Sequence, residues 1–144
     1  GATPRPLARV ASGGELSRVS LAIQTVTSQV AAVPTLIFDG VDAGIGGRVA
    51  EIVGRMLKDL VSRHQVMCVT HLPQVAAAGD QQWQVSKSAA NGAVASAVAV
   101  LDRAARIEEI ARMLGGVKIT ETTRKHAAEM LGATADGRKR KADA

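Results

Sequence analysis

Three stretches hold residue types that chemistry needs. Ser12, Gly13, Gly14 and Glu15 stand directly before a run of helical periodicity, Asp39 and Asp42 lie in "TLIFDGVDAGIGG", and His71 lies in "VTHLPQ". Ser12 with Glu15 three residues later fits a helix capping box. The two glycines between them cost about 1 kcal/mol each relative to alanine in a helix, and capping does not need them. A bare backbone at a helix start, with free N–H groups and the positive end of the dipole, is a natural phosphate site. Asp39 follows four residues that include Leu36, Ile37 and Phe38, where a carboxylate either forms a turn or holds magnesium beside a nucleotide. His71 is either a histidine hydrogen-bonded at a strand end or a group that meets an anion.

These residues are useful only if the fold gathers them. Leu16, Val19, Ile23, Val26 and Val30 recur every three or four positions, which predicts an amphipathic helix after the glycines. "TLIFD" (35–39) and "QVMCVT" (65–70) suit strands buried on both faces. Between them Val49, Ile52, Val53, Met56, Leu57 and Leu60 keep a helical period over about 47–63. Strand, helix and strand in that order form a parallel βαβ unit. In parallel sheets ligands bind beyond the carboxyl ends of the strands, so Asp39, Asp42 and His71 are expected at one edge. A short helix is expected near "PQVAAAG", and "QQWQVSKS" and "AVASAVAVL" flank an Asn91-Gly92 turn, which predicts an antiparallel hairpin. Two helices follow, over about 103–114 and 120–131, parted by Gly115 and Gly116.

The chain has 144 residues, 47% of them hydrophobic, enough for the core of one globular unit. It carries no apolar run of eighteen residues and no basic segment leading into an apolar one, so no membrane span or signal peptide is expected, and the default location is cytoplasmic. The single cysteine, Cys68, reads as a buried structural thiol. The net charge of +5 is concentrated toward "GRKRKADA", which gives three parts: an irregular lead-in at 1–11, a folded part at 12–132 and a basic disordered tail at 133–144. With aromatic content of 1% and no tyrosine, any nucleic-acid contact is expected at phosphate and not by base stacking.

"ASGGELSR" is similar to the signature motif of ATP-binding-cassette ATPases. "TLIFDGVDAGIGG" resembles their Walker B strand and D-loop, and "VTHLPQVAAAGD" their switch-histidine region. In this order and spacing, with the ending "RIEEIARMLGGVKITETTRKHAAEML", they resemble the RecN family of bacterial DNA repair ATPases, relatives of the SMC proteins. The resemblance implies an α/β fold, the C-terminal lobe of an ABC-type P-loop ATPase head, with ATP and Mg²⁺ as cofactors. Ser12, Gly13, Gly14 and Glu15 would bind the γ-phosphate of ATP held on a second head. Asp39 would support magnesium, directly or through water, Asp42 would belong to the D-loop at the dimer interface, and His71 would contact the γ-phosphate in its own head.

The implied partners are the N-terminal part of the same head, a second identical head and DNA, without membrane, in a nucleoid-associated setting. The implied role is double-strand break repair and recombination by ATP-dependent head pairing. Two features depart from the pattern: no "GxxxxGKS" phosphate loop is present, and Gly40 stands where the family has a glutamate that acts on the attacking water. Glycine is no general base, so a nucleotide clamp without turnover is the alternative. A transporter-type nucleotide-binding domain shares the three motifs, but its signature usually has glutamine at the position of Glu15.

Overall fold

A computed structural model describes residues 13–27, 33–90, 93–115 and 118–142. The elements are α1 (Gly13–Thr27), β1 (Thr35–Asp39), α2 (Gly47–Leu60), β2 (Gln65–Val69), α3 (Pro73–Ala78), β3 (Trp83–Ala90), β4 (Ala93–Val100), α4 (Arg103–Gly115) and α5 (Glu121–Ala142). The α/β order expected from periodicity is present. Contacts divide the chain between Ala78 and Gly79 into two compact units.

In the first unit β1 and β2 pair in parallel, in register from Thr35 opposite Gln65 to Asp39 opposite Val69. The pairing is fixed at its entry, where the Gln65 amide donates to the Pro34 carbonyl at 2.8 Å. Beside it buried His64 donates from Nδ1 to the Val33 carbonyl at 2.6 Å. His64 was not singled out by sequence, since its role depends on a chain segment 31 residues away. Leu36 and Phe38 join Leu21, Val41, Val53, Leu57, Leu60 and Val75 in one core, where each large side chain contributes about 1.5–3 kcal/mol through burial.

Two apolar patterns take a different orientation from the one expected. The strands bury one face only, with Ile37 and Val69 well exposed on the other, because the sheet has two strands and the described residues cover a single side. Of the expected stripe of α1, Leu16, Val19 and Ile23 are exposed, while Leu21 is fully buried; Val30 and the Val26 side chain lie outside the described residues. Leu21 and Gly14 share the packed side, so apolar spacing identified the helix but not its seated face. In α2 the buried line is Ala50, Val53, Leu57 and Leu60, with Val49 and Ile52 exposed. That line advances by three or four residues and fits one helix face.

In the second unit β3 and β4 form the antiparallel hairpin, from Trp83 opposite Val100 to Ala90 opposite Ala93. The Asn91-Gly92 turn and Gly116 lie outside the described residues. Asp102 accepts the Ala105 amide at 2.8 Å and Thr120 accepts that of Thr123 at 3.2 Å, so each caps its helix start in the manner of Asp and Thr at such positions. Ile110, Ala111, Ala127 and Leu131 are buried. Glu108 and Arg124 join α4 to α5 at 2.7 Å. Helical backbone continues to Ala142, through residues assigned by composition to the basic tail. Among the described residues no helix is long and apolar enough to cross a membrane.

Candidate functional site

At the start of α1, Ser12 and the lead-in at 1–11 lie outside the described residues. The two glycines that follow differ in their surroundings. Among the described residues a Cβ on Gly13 would meet nothing within 4 Å, whereas one on Gly14 would stand 2.7 Å from the Ala43 Cβ and 3.1 Å from the Gly40 carbonyl oxygen. Gly14 therefore serves close packing against the loop after β1, and Gly13 leaves the helix start open. Glu15 is exposed at the same helix start, in the first turn of α1.

Asp39 ends β1 and is exposed. The chain then turns at Gly40, whose φ of 73° lies in the left-handed region that side chains other than glycine rarely adopt. The turn is closed by the Ala43 amide donating to the Gly40 carbonyl at 3.1 Å. Two residues of α1 hold it from one side. Ser17 donates its hydroxyl to the Asp39 carbonyl at 2.7 Å, and Arg18 donates from Nη1 to the Ala43 carbonyl at 2.7 Å.

Asp42 turns inward and is 3% exposed. Its Oδ2 accepts the Thr70 hydroxyl and the His71 amide at 2.9 Å, and lies 3.1 Å from His71 Nδ1. Burial raises the Asp42 pKa, but the Thr70 hydroxyl, the His71 amide and the His71 ring more than offset it, and the carboxyl lies below its ordinary value. Such a group is a poor general base. The Asp42 carboxylate thus contacts its own chain, while its neighbours Ala43 and Gly44 are exposed. The His71 side chain is 70% exposed, with Nδ1 oriented by Asp42.

Asp39 and His71 both stand at the carboxyl end of the β1–β2 pair, as expected, and Asp42 connects the two strand ends. Ser17, Arg18 and Thr70 were not singled out by sequence, although all three lie inside the quoted motifs. Their partners are mainly backbone carbonyls and one carboxylate, which spacing does not identify. Cys68 is half-buried and pushed up to about 12 by desolvation, with the charges of Asp42 and Asp39 adding to it, which agrees with an inert structural thiol.

Among the described residues no three or more His, Cys, Asp or Glu gather as a metal site. Magnesium bound with a nucleotide needs only one or two carboxylates, since phosphates and waters complete its shell, and Asp39 fits that donor set. The open helix start at Gly13 likewise fits a phosphate.

No family model matches the chain. It is 55% identical over 131 residues, 91% of its length, to DNA repair protein RecN of Xylella fastidiosa. It is 52% identical over 131 residues to DNA repair protein RecN of Haemophilus influenzae. In both cases it spans 24% of the relative's length. A solved SMC ATPase structure, described for ATP-driven dimerization and DNA-stimulated activation, matches with TM-score 0.54 at 20% identity, covering 76% of this chain and 66% of that one. The fold is that of an SMC ATPase head over the matched part, and the chain is homologous, over about nine-tenths of its length, to a segment of RecN that makes up about a quarter of those proteins.

Proposed function

We propose that this chain supplies the signature helix, Walker B strand and switch histidine of a RecN-type ATPase head that acts in double-strand break repair through ATP-dependent pairing of heads. One observation carries the reading. The open helix start at Gly13 and the strand ends bearing Asp39 and His71 belong to one packed unit, connected through the turn at 40–43.

In this reading Ser12, Gly13 and Gly14 face the γ-phosphate of ATP bound to a second, identical head, with Glu15 at the same helix start. The amides of the first turn and the helix dipole attract the anion. Asp39 offers a carboxylate to Mg²⁺, which when bound neutralises phosphate charge. His71, held at Nδ1 by Asp42, presents the rest of its ring to the γ-phosphate in its own head and donates to it when protonated. The N-terminal part of the head supplies the phosphate loop, and DNA is the partner of the assembled protein.

Gly40 favours a second reading for the same site, a clamp that pairs with ATP and turns it over very slowly. Positioning survives without a group that orients water, and loss of a general base costs about 10²- to 10⁴-fold in rate.

The test uses the full-length protein to which this segment belongs. Light scattering with ATP and magnesium should show paired heads, and Ser12→Arg should abolish pairing while circular dichroism stays unchanged. ATP-dependent pairing of the variant would remove the signature assignment. Phosphate release measured on the same samples separates the ATPase from the clamp.

A further inference from the structure

The turn between β1 and α2 is held on two sides, and the order of its contacts is informative. From α1, Ser17 takes the Asp39 carbonyl at 2.7 Å. Arg18 Nη1 takes the Ala43 carbonyl at 2.7 Å and reaches the Val41 carbonyl at 3.5 Å. On the other side, the Asp42 carboxylate takes Thr70 and His71. Val41 and Ala43 are the chain neighbours of Asp42, so one guanidinium nitrogen holds the peptide carbonyl on each side of the residue whose carboxylate orients His71.

We propose that Arg18 is a positioning residue for the Asp42–His71 pair: by fixing the backbone on both sides of Asp42 it sets where the carboxylate meets the His71 amide and ring. Val41 is fully buried, which anchors the turn through its side chain, and the Ala43 amide closes it on the Gly40 carbonyl. Holding two carbonyls two residues apart further restricts the backbone around Asp42. The effect needs a long cation with several N–H groups, and arginine supplies five in a fixed fork. That this positioning matters for a phosphate rests on the function proposed above. The contact itself does not, and it is tested without nucleotide.

The experiment is amide hydrogen exchange by NMR on the 144-residue chain, comparing the unsubstituted protein with Arg18→Ala and Arg18→Lys. A hydrogen bond from a charged donor corresponds to roughly a tenfold change in an equilibrium. The expected result is about tenfold faster exchange of the His71 amide in Arg18→Ala, with amides in the middle of α2 unchanged and His71 protection recovered in part by Arg18→Lys. Unchanged His71 exchange in Arg18→Ala would overturn the proposal. So would a loss shared equally by α2, or a lysine variant no better than alanine, since either outcome makes Arg18 a general stabiliser. Because no ATP is present, failure here leaves the head-pairing reading standing, and failure of head pairing leaves this contact standing.

Discussion

The Asp42 carboxylate accepts the His71 backbone amide at 2.9 Å and stands 3.1 Å from the Nδ1 of the same residue, so one buried acid fixes both the backbone and the ring of an exposed histidine. The two residues are 29 positions apart and come from the turns after β1 and β2. Parallel pairing of those strands places both turns at one end of the sheet, and the Thr70 hydroxyl, also on Asp42, completes the junction. A histidine so held loses little further freedom on meeting an anion, the usual advantage of a preorganised group.

This junction should weaken in acid. The Asp42 pKa is depressed in the folded state, so its contribution is fully present above the unfolded value near 4 and is lost as pH falls through the lower folded value. Asp42→Asn keeps the shape and removes the charge. It is expected to cost about 1–2 kcal/mol at pH 7 and close to nothing at pH 2. Urea unfolding of both proteins across that range checks it, and a cost independent of pH would mean that the charge on Asp42 contributes nothing.

The two glycines of α1 should respond oppositely to alanine. At Gly14 the new methyl meets Ala43 at 2.7 Å, and overpacking of this kind costs about 1–3 kcal/mol. At Gly13 no described residue lies within 4 Å of the new methyl, and alanine should be neutral or add up to about 1 kcal/mol of helix stability. Denaturant midpoints of the two variants decide this. In full-length protein Gly13→Ala should still weaken ATP-dependent pairing, because it fills the side from which a phosphate would approach.

Gly40→Glu introduces the carboxylate that the resemblance implies at this position, at a backbone cost. The φ of 73° disfavours a side chain by about 1–2 kcal/mol, while the space is adequate, with the Ser17 hydroxyl 4.0 Å from the new Cβ. Full-length protein with this change should be slightly less stable, bind ATP equally well and release phosphate about 10²- to 10⁴-fold faster. Equal rates in a steady-state phosphate assay would show that another group already orients the water.

Cys68 should resist alkylation. With the thiol pushed up to about 12, its thiolate fraction at pH 8 is about 10³-fold below that of a free cysteine. Iodoacetamide labelling followed by mass spectrometry should find it unmodified in folded protein and labelled in urea. Rapid labelling of the folded chain would mean that β2 opens readily.

The types of the elements were legible in the sequence because they depend on local spacing. Leu36, Ile37 and Phe38 form a short apolar run, α2 repeats at three and four, and Asn91-Gly92 lies between two β-rich runs, so each element is specified within about fifteen residues. The gathering of Asp39, Asp42 and His71 at one edge followed from a single rule about parallel strands. Tertiary structure alone decided which side of α1 is packed, since Leu16, Val19 and Ile23 match helical spacing as well as any buried stripe yet face outward. It also separated two adjacent glycines into one that closes a contact and one that leaves a helix start open. The same holds for Arg18, Thr70 and His64, whose partners lie 25, 28 and 31 residues away in the chain. Hydrogen bonds need atoms within about 3 Å in a defined direction, and that geometry exists only after the chain has folded.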